Sequence, residues 1–252
     1  MPALKKIADF LDRELNVAGF SDRSNNGLQV ESDGPVRRVC CGVDASLDFF
    51  HEARRRGADL LVCHHGLSWA DSLKRITGSN YRHVSFLIRN RIALYACHLP
   101  LDAHPRYGNN ALIAKTLRLR RLRPFGLYQG SMIGVQGQLP APLPYEKFLA
   151  LVRRTVGPRL QTMDHGGPVV RSVAIVSGGG SGELAEAGEK NIDVFLSGEP
   201  TLKAWNIARE CGIHAVFAGH YATEVFGVRA LAGLLRRKFK LPAEFIELDV
   251  PF

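Results

Sequence analysis

The sequence predicts an α/β protein of two related lobes, with mostly parallel strands and flanking helices. Short apolar runs alternate with amphipathic helical segments, which is the order that parallel sheets require. The same order returns after residue 170, which indicates an internal duplication. The chain of 252 residues is 46% hydrophobic and 23% charged, the composition of a globular protein with a sizeable core.

The first half begins with a helix and continues with three strands. Apolar residues recur at helical spacing from Leu4 to Leu15, and a turn rich in Gly and Asn follows in SNNGLQVE. Later apolar runs predict buried strands, and the segments between them predict helices. The strand runs are 36–43, 58–66 and 92–98, and the helical segments are 46–57 and 84–91.

The second half repeats this arrangement. The segment 171–200 can be laid without gaps over 37–66, which places Asp59 on Asp193. Unrelated strand-helix-strand units also resemble each other at this level. The hydrophobic positions alone are therefore compatible with duplication and with chance similarity.

A repeated polar motif favours duplication. In both halves the third strand is followed by His-x-x-x-acid, which places His98 on His220 and Asp102 on Glu224. Between the halves, several prolines and glycines in 124–145 predict a linker or a short β segment. We therefore divide the chain into a first lobe and a linker with a second lobe, at 1–123 and 124–252.

Five side chains that can bind a metal through nitrogen or oxygen lie at or after predicted strand ends. They are His64 and His65 in the first strand-helix-strand unit, then Asp102, His220 and Glu224. Ligands of α/β sheets bind beyond the carboxyl ends of the strands. Imidazole and carboxylate suit divalent ions such as Zn, Mn, Fe, Co or Ni. These five residues predict a site for two divalent ions, with Glu224 as the bridge because its side chain is longer.

The histidines also allow structural roles. A His-His pair alone is weak evidence for a metal, although an apolar strand that ends in His64 and His65 strengthens it, because burying a ring without a partner is costly. His98 is an acid/base candidate, a residue that orients a ligand, or a buried structural histidine. His104 either faces the pocket or caps the turn before Pro105, and we favour the turn.

Two further segments have alternative interpretations. The glycine-rich run 177–182 follows a strand, so its amides could cradle a phosphate, but a tight turn with positive φ explains it as well. The basic stretch RLRRLRP at 118–124 could contact nucleic acid, but a solvated strand edge is the commoner meaning.

Composition narrows the class of protein. Five cysteines without a C-x-x-C pair argue against a disulfide framework and against a thiolate zinc site. No apolar run is long enough for a spanning helix, so we expect a cytoplasmic protein without a membrane partner. The net charge of +9 suits a small anionic substrate. Nucleic acid is the least favoured partner, since this charge is spread over the chain.

Several long segments resemble a known family. They are NNGLQVE, DLLVCHHG, CHLPLDAHPRYGNN, LSGEP and GHYATEVFGVRAL, and they resemble the Nif-three-like dinuclear metal-centre proteins, also called the GTP cyclohydrolase I type 2 family, especially the YbgI-type members. The resemblance implies two similar α/β lobes, a ring-shaped homohexamer, and two metals with Glu224 shared. The ligands it implies are His64, His65, Asp102, His220 and Glu224.

The resemblance also implies a function. It favours a metal-dependent hydrolase of the GTP cyclohydrolase type 2 kind, acting on a small nucleotide-like or phosphorylated substrate. The alternative is a non-catalytic protein that binds or handles metal, or regulates partners. Close relatives often carry a histidine where this chain has Asn206, which argues against proton transfer at that position.

Overall fold

The computed structural model describes residues 1–251 of the chain. The helices in this range are α1 (Leu4–Glu14), α2 (Leu47–Arg55), α3 (Gly78–Asn90), α4 (Leu99–Ala103), α5 (Asn109–Thr116), α6 (Tyr145–Thr155), α7 (Leu184–Glu189), α8 (Leu202–Cys211) and α9 (His220–Phe239). The strands are β1 (Gly27–Val30), β2 (Val39–Asp44), β3 (Leu60–His65), β4 (Ala93–Ala96), β5 (Arg120–Tyr128), β6 (Ser131–Pro144), β7 (Gln161–Asp164), β8 (Val169–Ile175), β9 (Val194–Ser197), β10 (His214–Phe217) and β11 (Ala243–Phe245).

The chain forms two compact units. The first unit contains Met1–Leu101 and Gly227–Asp249, and the second contains Asp102–Phe226 and the residues from Val250. These boundaries follow packing in space, whereas the predicted lobes 1–123 and 124–252 follow the order of a duplicated chain, so that division stays a prediction. Within residues 1–251, the structure has no helix that is both long and apolar enough to cross a bilayer.

The first unit contains a five-stranded sheet in the order β1-β4-β3-β2-β11. Strands β2, β3, β4 and β11 run parallel, as the alternation of strands and helices predicts. Buried Phe49 and Phe50 of α2 and Leu87 of α3 belong to the core of this unit, together with Leu61 of β3. The helical faces that the sequence predicts thus cover the sheet.

The segment SNNGLQVE is more than the predicted turn. Its residues Gly27–Val30 form β1, which pairs antiparallel with β4. Without β1, β4 would be an edge strand with unpaired backbone groups. The strand is only four residues long and contains glycine, so pairing with β4 rather than local propensity explains it.

The second unit contains a six-stranded sheet in the order β5-β6-β8-β9-β10-β7, with β8, β9 and β10 parallel. The proline-rich segment 124–145 lies mostly in the antiparallel β5–β6 hairpin, a longer β structure than predicted. Pro140 and Pro142 fall where the register of β6 against β8 shifts, a position at which a strand tolerates proline. Of the arginines of 118–124, all are exposed and all but Arg118 lie on the edge strand β5, as the strand-edge interpretation predicts.

The parallel strands of the two sheets share local details. Asp59 accepts hydrogen bonds from the backbone N–H groups of the two residues before β2. Asp193, which the sequence places on Asp59, accepts the corresponding bonds from Arg171 and Ser172 in β8. In each unit, the aspartate that precedes one parallel strand thus accepts hydrogen bonds from two backbone N–H groups of the neighbouring segment. This shared detail is expected for two related α/β lobes.

One part of the sequence alignment is wrong by one residue. The strand pairs β3–β4 and β9–β10 show that Ala93 corresponds to His214. His98 therefore corresponds to Gly219, the residue before His220. Asp102 is displaced from Glu224 by one residue in the same way. The repeated His-x-x-x-acid motif is thus not a copied ligand set.

Candidate metal centre

Three histidines converge at the carboxyl ends of β3 and β4 in the first unit. The ring centroids of His64 and His65 lie 4.7 Å apart, and His98 lies 5.2 Å from His64 and 5.6 Å from His65. One nitrogen of each ring lies within 4.8 Å of the others, a group that could hold a metal ion. We call these three residues the imidazole cluster.

Each ring of the imidazole cluster is oriented through its Nδ1 atom. Because every partner is a carbonyl or carboxylate oxygen, each Nδ1–H donates and Nε2 is left as the nitrogen suited to a metal. The pairs are His64 with the carbonyl of Cys97 at 3.0 Å, His65 with Asp44 at 2.8 Å, and His98 with Asp22 at 3.0 Å.

Asp22 is the best-anchored of these partners. Besides His98, it accepts hydrogen bonds from the backbone N–H groups of Ser24 and Leu99 and from the amide of Asn26. Burial alone would raise the pKa of Asp22, but His98 and the other donors outweigh burial and lower it to about 2. Asp22 therefore stays ionised near neutral pH and accepts the hydrogen bond from Nδ1–H of His98.

The second unit holds the other predicted ligands, Asp102, His220 and Glu224, which we call the carboxylate cluster. His220 and Glu224 lie one turn apart on α9, with Nε2 of the ring 3.1 Å from Oε1 of the carboxylate. Nδ1 of His220 lies 3.3 Å from Glu199. Burial opposes the charged ring, but Glu224 and Glu199 outweigh it and raise the pKa of His220 to about 9. In the absence of metal this histidine is therefore protonated at neutral pH.

The turn after β8 touches both acids of the carboxylate cluster, which are only 7% and 2% exposed. Asp102 Oδ1 accepts hydrogen bonds from Ser177 Oγ at 3.0 Å and from Asn109 Nδ2 at 2.8 Å. Gly178 has a φ of 61°, and a Cβ atom there would overlap Oε1 of Glu224. Only glycine combines this conformation with this close approach.

The glycine-rich run 177–182 therefore forms a turn with positive φ. The backbone N–H of Ser177 donates to Asn110, and that of Gly178 donates to Thr223. These two N–H groups form hydrogen bonds within the protein and are therefore not available to bind a phosphate. Of the two interpretations of the run, the turn is the one that the structure supports.

His104 caps a turn, as the sequence analysis favours. Its Nδ1 accepts hydrogen bonds from the backbone N–H groups of Arg106 at 3.1 Å and Tyr107 at 3.0 Å. Its ring also stacks on Tyr107. The prediction of a turn-capping role is confirmed.

The sequence analysis missed the residues that orient the predicted ligands. Glu199 lies two residues after the end of β9, so the rule that selected the ligands at strand ends could have found it. Ser177 follows β8 in the same way, but its partner Asp102 is 75 residues away, and Asp22 gave no comparable signal, because it lies 76 residues from the ring it contacts. Only the order of strands in the sheets brings such positions together.

The donor types fit a divalent metal. The imidazole cluster offers imidazole nitrogen, the carboxylate cluster offers imidazole nitrogen and carboxylate oxygen, and no cysteine belongs to the candidate groups found within residues 1–251. Neutral imidazole and carboxylate are the ligands that Zn, Mn, Fe, Co and Ni accept in proteins. The protein therefore contains His, Asp and Glu groups that could hold a metal ion.

Comparison with known proteins identifies the family. The model of Duf34/NIF3 (NGG1p interacting factor 3) matches residues 2–250. Two proteins, each named a GTP cyclohydrolase 1 type 2 homolog, are similar to the chain. The one from Deinococcus radiodurans is 42% identical over 241 residues, covering 96% of this chain and 91% of that protein. The one from Archaeoglobus fulgidus is 40% identical over 250 residues, covering 98% of each.

A solved structure described as protein ybgI, of unknown function, has the same fold. It superimposes with a TM-score of 0.92 at 34% identity and covers 98% of this chain and 99% of that one. Family model, sequence relatives and structure thus agree over nearly the whole length. The chain belongs to the Duf34/NIF3 family and has its two-lobed α/β fold.

Proposed function

We propose that this protein is a metal-dependent hydrolase with a centre for two divalent ions. The ligands in this proposal are His64, His65, Asp102, His220 and Glu224. The observation that supports it best is that each unit holds ligand-type side chains already oriented by hydrogen bonds. Such orienting partners are typical of metal ligands.

The charges of the proposed ligands suit an anionic substrate. Asp102 and Glu224 supply two negative charges, which offset half of the charge of two divalent ions. Glu224 is the proposed bridge, since a carboxylate has two oxygens and this one is almost fully buried. The remaining positive charge, with the net charge of +9 on the chain, favours a phosphorylated or nucleotide-like compound.

Divalent ions bound at such a centre acidify a water molecule and polarise an oxygen of the bond to be hydrolysed. His98 is the proposed acid/base residue. Its Nδ1–H is fixed by ionised Asp22, so Nε2 can accept a proton and the resulting imidazolium is stabilised by that carboxylate. Glu199 orients His220 through Nδ1 and takes no part in this proton transfer.

A hydrolysis screen tests this proposal. The relatives named as GTP cyclohydrolase 1 type 2 homologs suggest GTP as the first compound, followed by other nucleotides and phosphate esters. We expect turnover by the metal-loaded protein and its loss in Glu224→Gln, with the circular dichroism spectrum unchanged. Glu210→Gln, an exposed change on α8, serves as the control. Equal turnover in Glu224→Gln would contradict the mechanism.

A second candidate function is metal binding or metal handling without turnover, including a regulatory role. The imidazole cluster favours it, because three histidines of the first unit form by themselves a group that could hold an ion. This function predicts metal that exchanges within minutes with a chelator and no hydrolysis across the whole screen. Turnover that requires Glu224 would contradict it.

We also propose that the protein assembles as a ring-shaped homohexamer, on the basis of the family resemblance alone. Light scattering on the purified protein tests it. A particle of about six times 27.8 kDa is expected, and a monomer or dimer would contradict the proposal.

A further inference from the structure

A small cavity of about 160 Å³ opens beside His220 in the second unit. Its lining includes Arg159, Glu199 and Phe217 as well as the proposed ligand His220. A cavity that shares a wall with a metal ligand is the place where a substrate group next to the reacting bond would lie. Its size suits a single small group, such as a phosphate, and not a whole nucleotide.

The position of Arg159 is fixed by its neighbours in the chain. A Cβ atom on Gly157 would overlap the carbonyl oxygen of Ala218, so this glycine lets the loop after α6 pack against the end of β10. Two residues after Arg159, Gln161 begins β7 and pairs with Phe217 of β10. Both contacts hold the loop at the strand end that also carries His220.

Arg159 is the one arginine or lysine among the described residues that line this cavity. Its side chain is exposed, and within residues 1–251 its guanidinium forms no ion pair with an acidic side chain. The acid in the lining, Glu199, already interacts with Nδ1 of His220. The planar guanidinium offers several N–H donors in the geometry that matches two oxygens of a phosphate or carboxylate.

We propose that Arg159 binds an oxyanion of the substrate in this cavity. The inference rests on the proposed function, since it places the anionic group of the substrate next to a ligand of the metal centre. It adds a substrate-binding residue outside the five proposed ligands. The oxyanion is a phosphate or a carboxylate, and Phe217 supplies an apolar wall beside it.

Calorimetric titration of the full-length, metal-loaded protein with inorganic phosphate and with acetate tests the proposal. We expect Arg159→Gln to weaken binding of the preferred anion about tenfold or more, because a hydrogen bond to a charged group contributes that much. Arg153→Gln, an exposed change on α6 that lies outside the cavity lining, should leave the affinity unchanged. Preference for phosphate indicates a phosphoryl group, and preference for acetate indicates a carboxylate.

The same titration on chelator-treated protein separates Arg159 from the metals. The difference between wild type and Arg159→Gln should persist without metal. Equal affinities of wild type and Arg159→Gln, an equal loss in Arg153→Gln, or no binding of either anion would overturn the proposal. A persistent Arg159 effect without turnover in the screen would instead reject the proposed reaction and leave the anion site standing.

Discussion

The two units carry different sets of predicted ligands. The first unit presents imidazoles, and two of them are oriented by the carboxylates Asp22 and Asp44. The second presents one imidazole, His220, and two buried acids, of which Asp102 is oriented by the neutral donors Ser177 and Asn109. In each unit the orienting group is the chemical complement of the ligand, since imidazole N–H needs an acceptor and carboxylate oxygen needs a donor.

This difference separates the shared architecture from the chemistry. Asp59 and Asp193 accept corresponding backbone hydrogen bonds in the two units, so the two units share this part of the backbone framework. The residues after the third strands do not correspond, because His98 is displaced by one position relative to His220. A common backbone framework thus carries different side chains after the third strand of each unit.

Replacing Gly178 should have the largest effect, confined to the carboxylate cluster. Gly178→Ala puts a Cβ atom onto Glu224 at a φ of 61°, so we expect loss of bound metal and a fall in unfolding free energy of roughly 2–4 kcal/mol. Metal analysis and denaturant unfolding measure both. Gly182→Ala is the control, because nothing lies within 4 Å of a Cβ there. Full metal content in Gly178→Ala would show that the turn does not constrain the ligands.

The carboxylate cluster should make metal affinity depend on pH. The pKa of about 9 means that a proton competes with metal at His220, so affinity should rise about tenfold per unit between pH 7 and pH 9 and then level off. Titrations with a competing chelator measure this slope. Glu199→Gln removes one of the anions that raise this pKa, so the plateau should begin at lower pH. An affinity independent of pH in this range would contradict the assignment.

In the imidazole cluster, Asp22→Asn should separate turnover from metal content. The neutral amide no longer stabilises an imidazolium at His98, so we expect turnover to fall by roughly 10- to 100-fold with the metal content unchanged. Asp9→Asn, a change on α1 of a half-exposed carboxylate that pairs with Lys5, is the control. Loss of metal in Asp22→Asn would show that Asp22 supports the ligands and not the proton transfer.

The smallest expected effect is that of Ser177→Ala. Asp102 then loses the hydrogen bond from Ser177 and keeps the one from Asn109, so metal affinity should fall about tenfold. The control is Ser181→Ala in the same glycine-rich run, which removes a hydroxyl that is hydrogen-bonded to Thr201. This change should leave the metal affinity unaltered. Equal affinities of Ser177→Ala and wild type would mean that Asn109 alone orients the carboxylate.

The sequence predicts local features of this centre better than distant ones. The apolar run of β3 that ends in His64 and His65 is a local signal, and the rule for strand ends turns it into a ligand prediction. Asp22 and Ser177 escape because their partners are about seventy-five residues away. The strand β1 is not predicted for the same reason, since it is stabilised by pairing with β4 and not by the strand propensity of its own residues.

Metal content of the purified protein tests the central claim most directly. A single centre with ligands from both clusters predicts about two ions per chain in the wild type and in Glu210→Gln. It predicts fewer ions both in His64→Ala and in Glu224→Gln. Metal lost only in His64→Ala would indicate that the imidazole cluster binds alone, and two ions retained in both variants, or none in the wild type, would contradict the dinuclear centre.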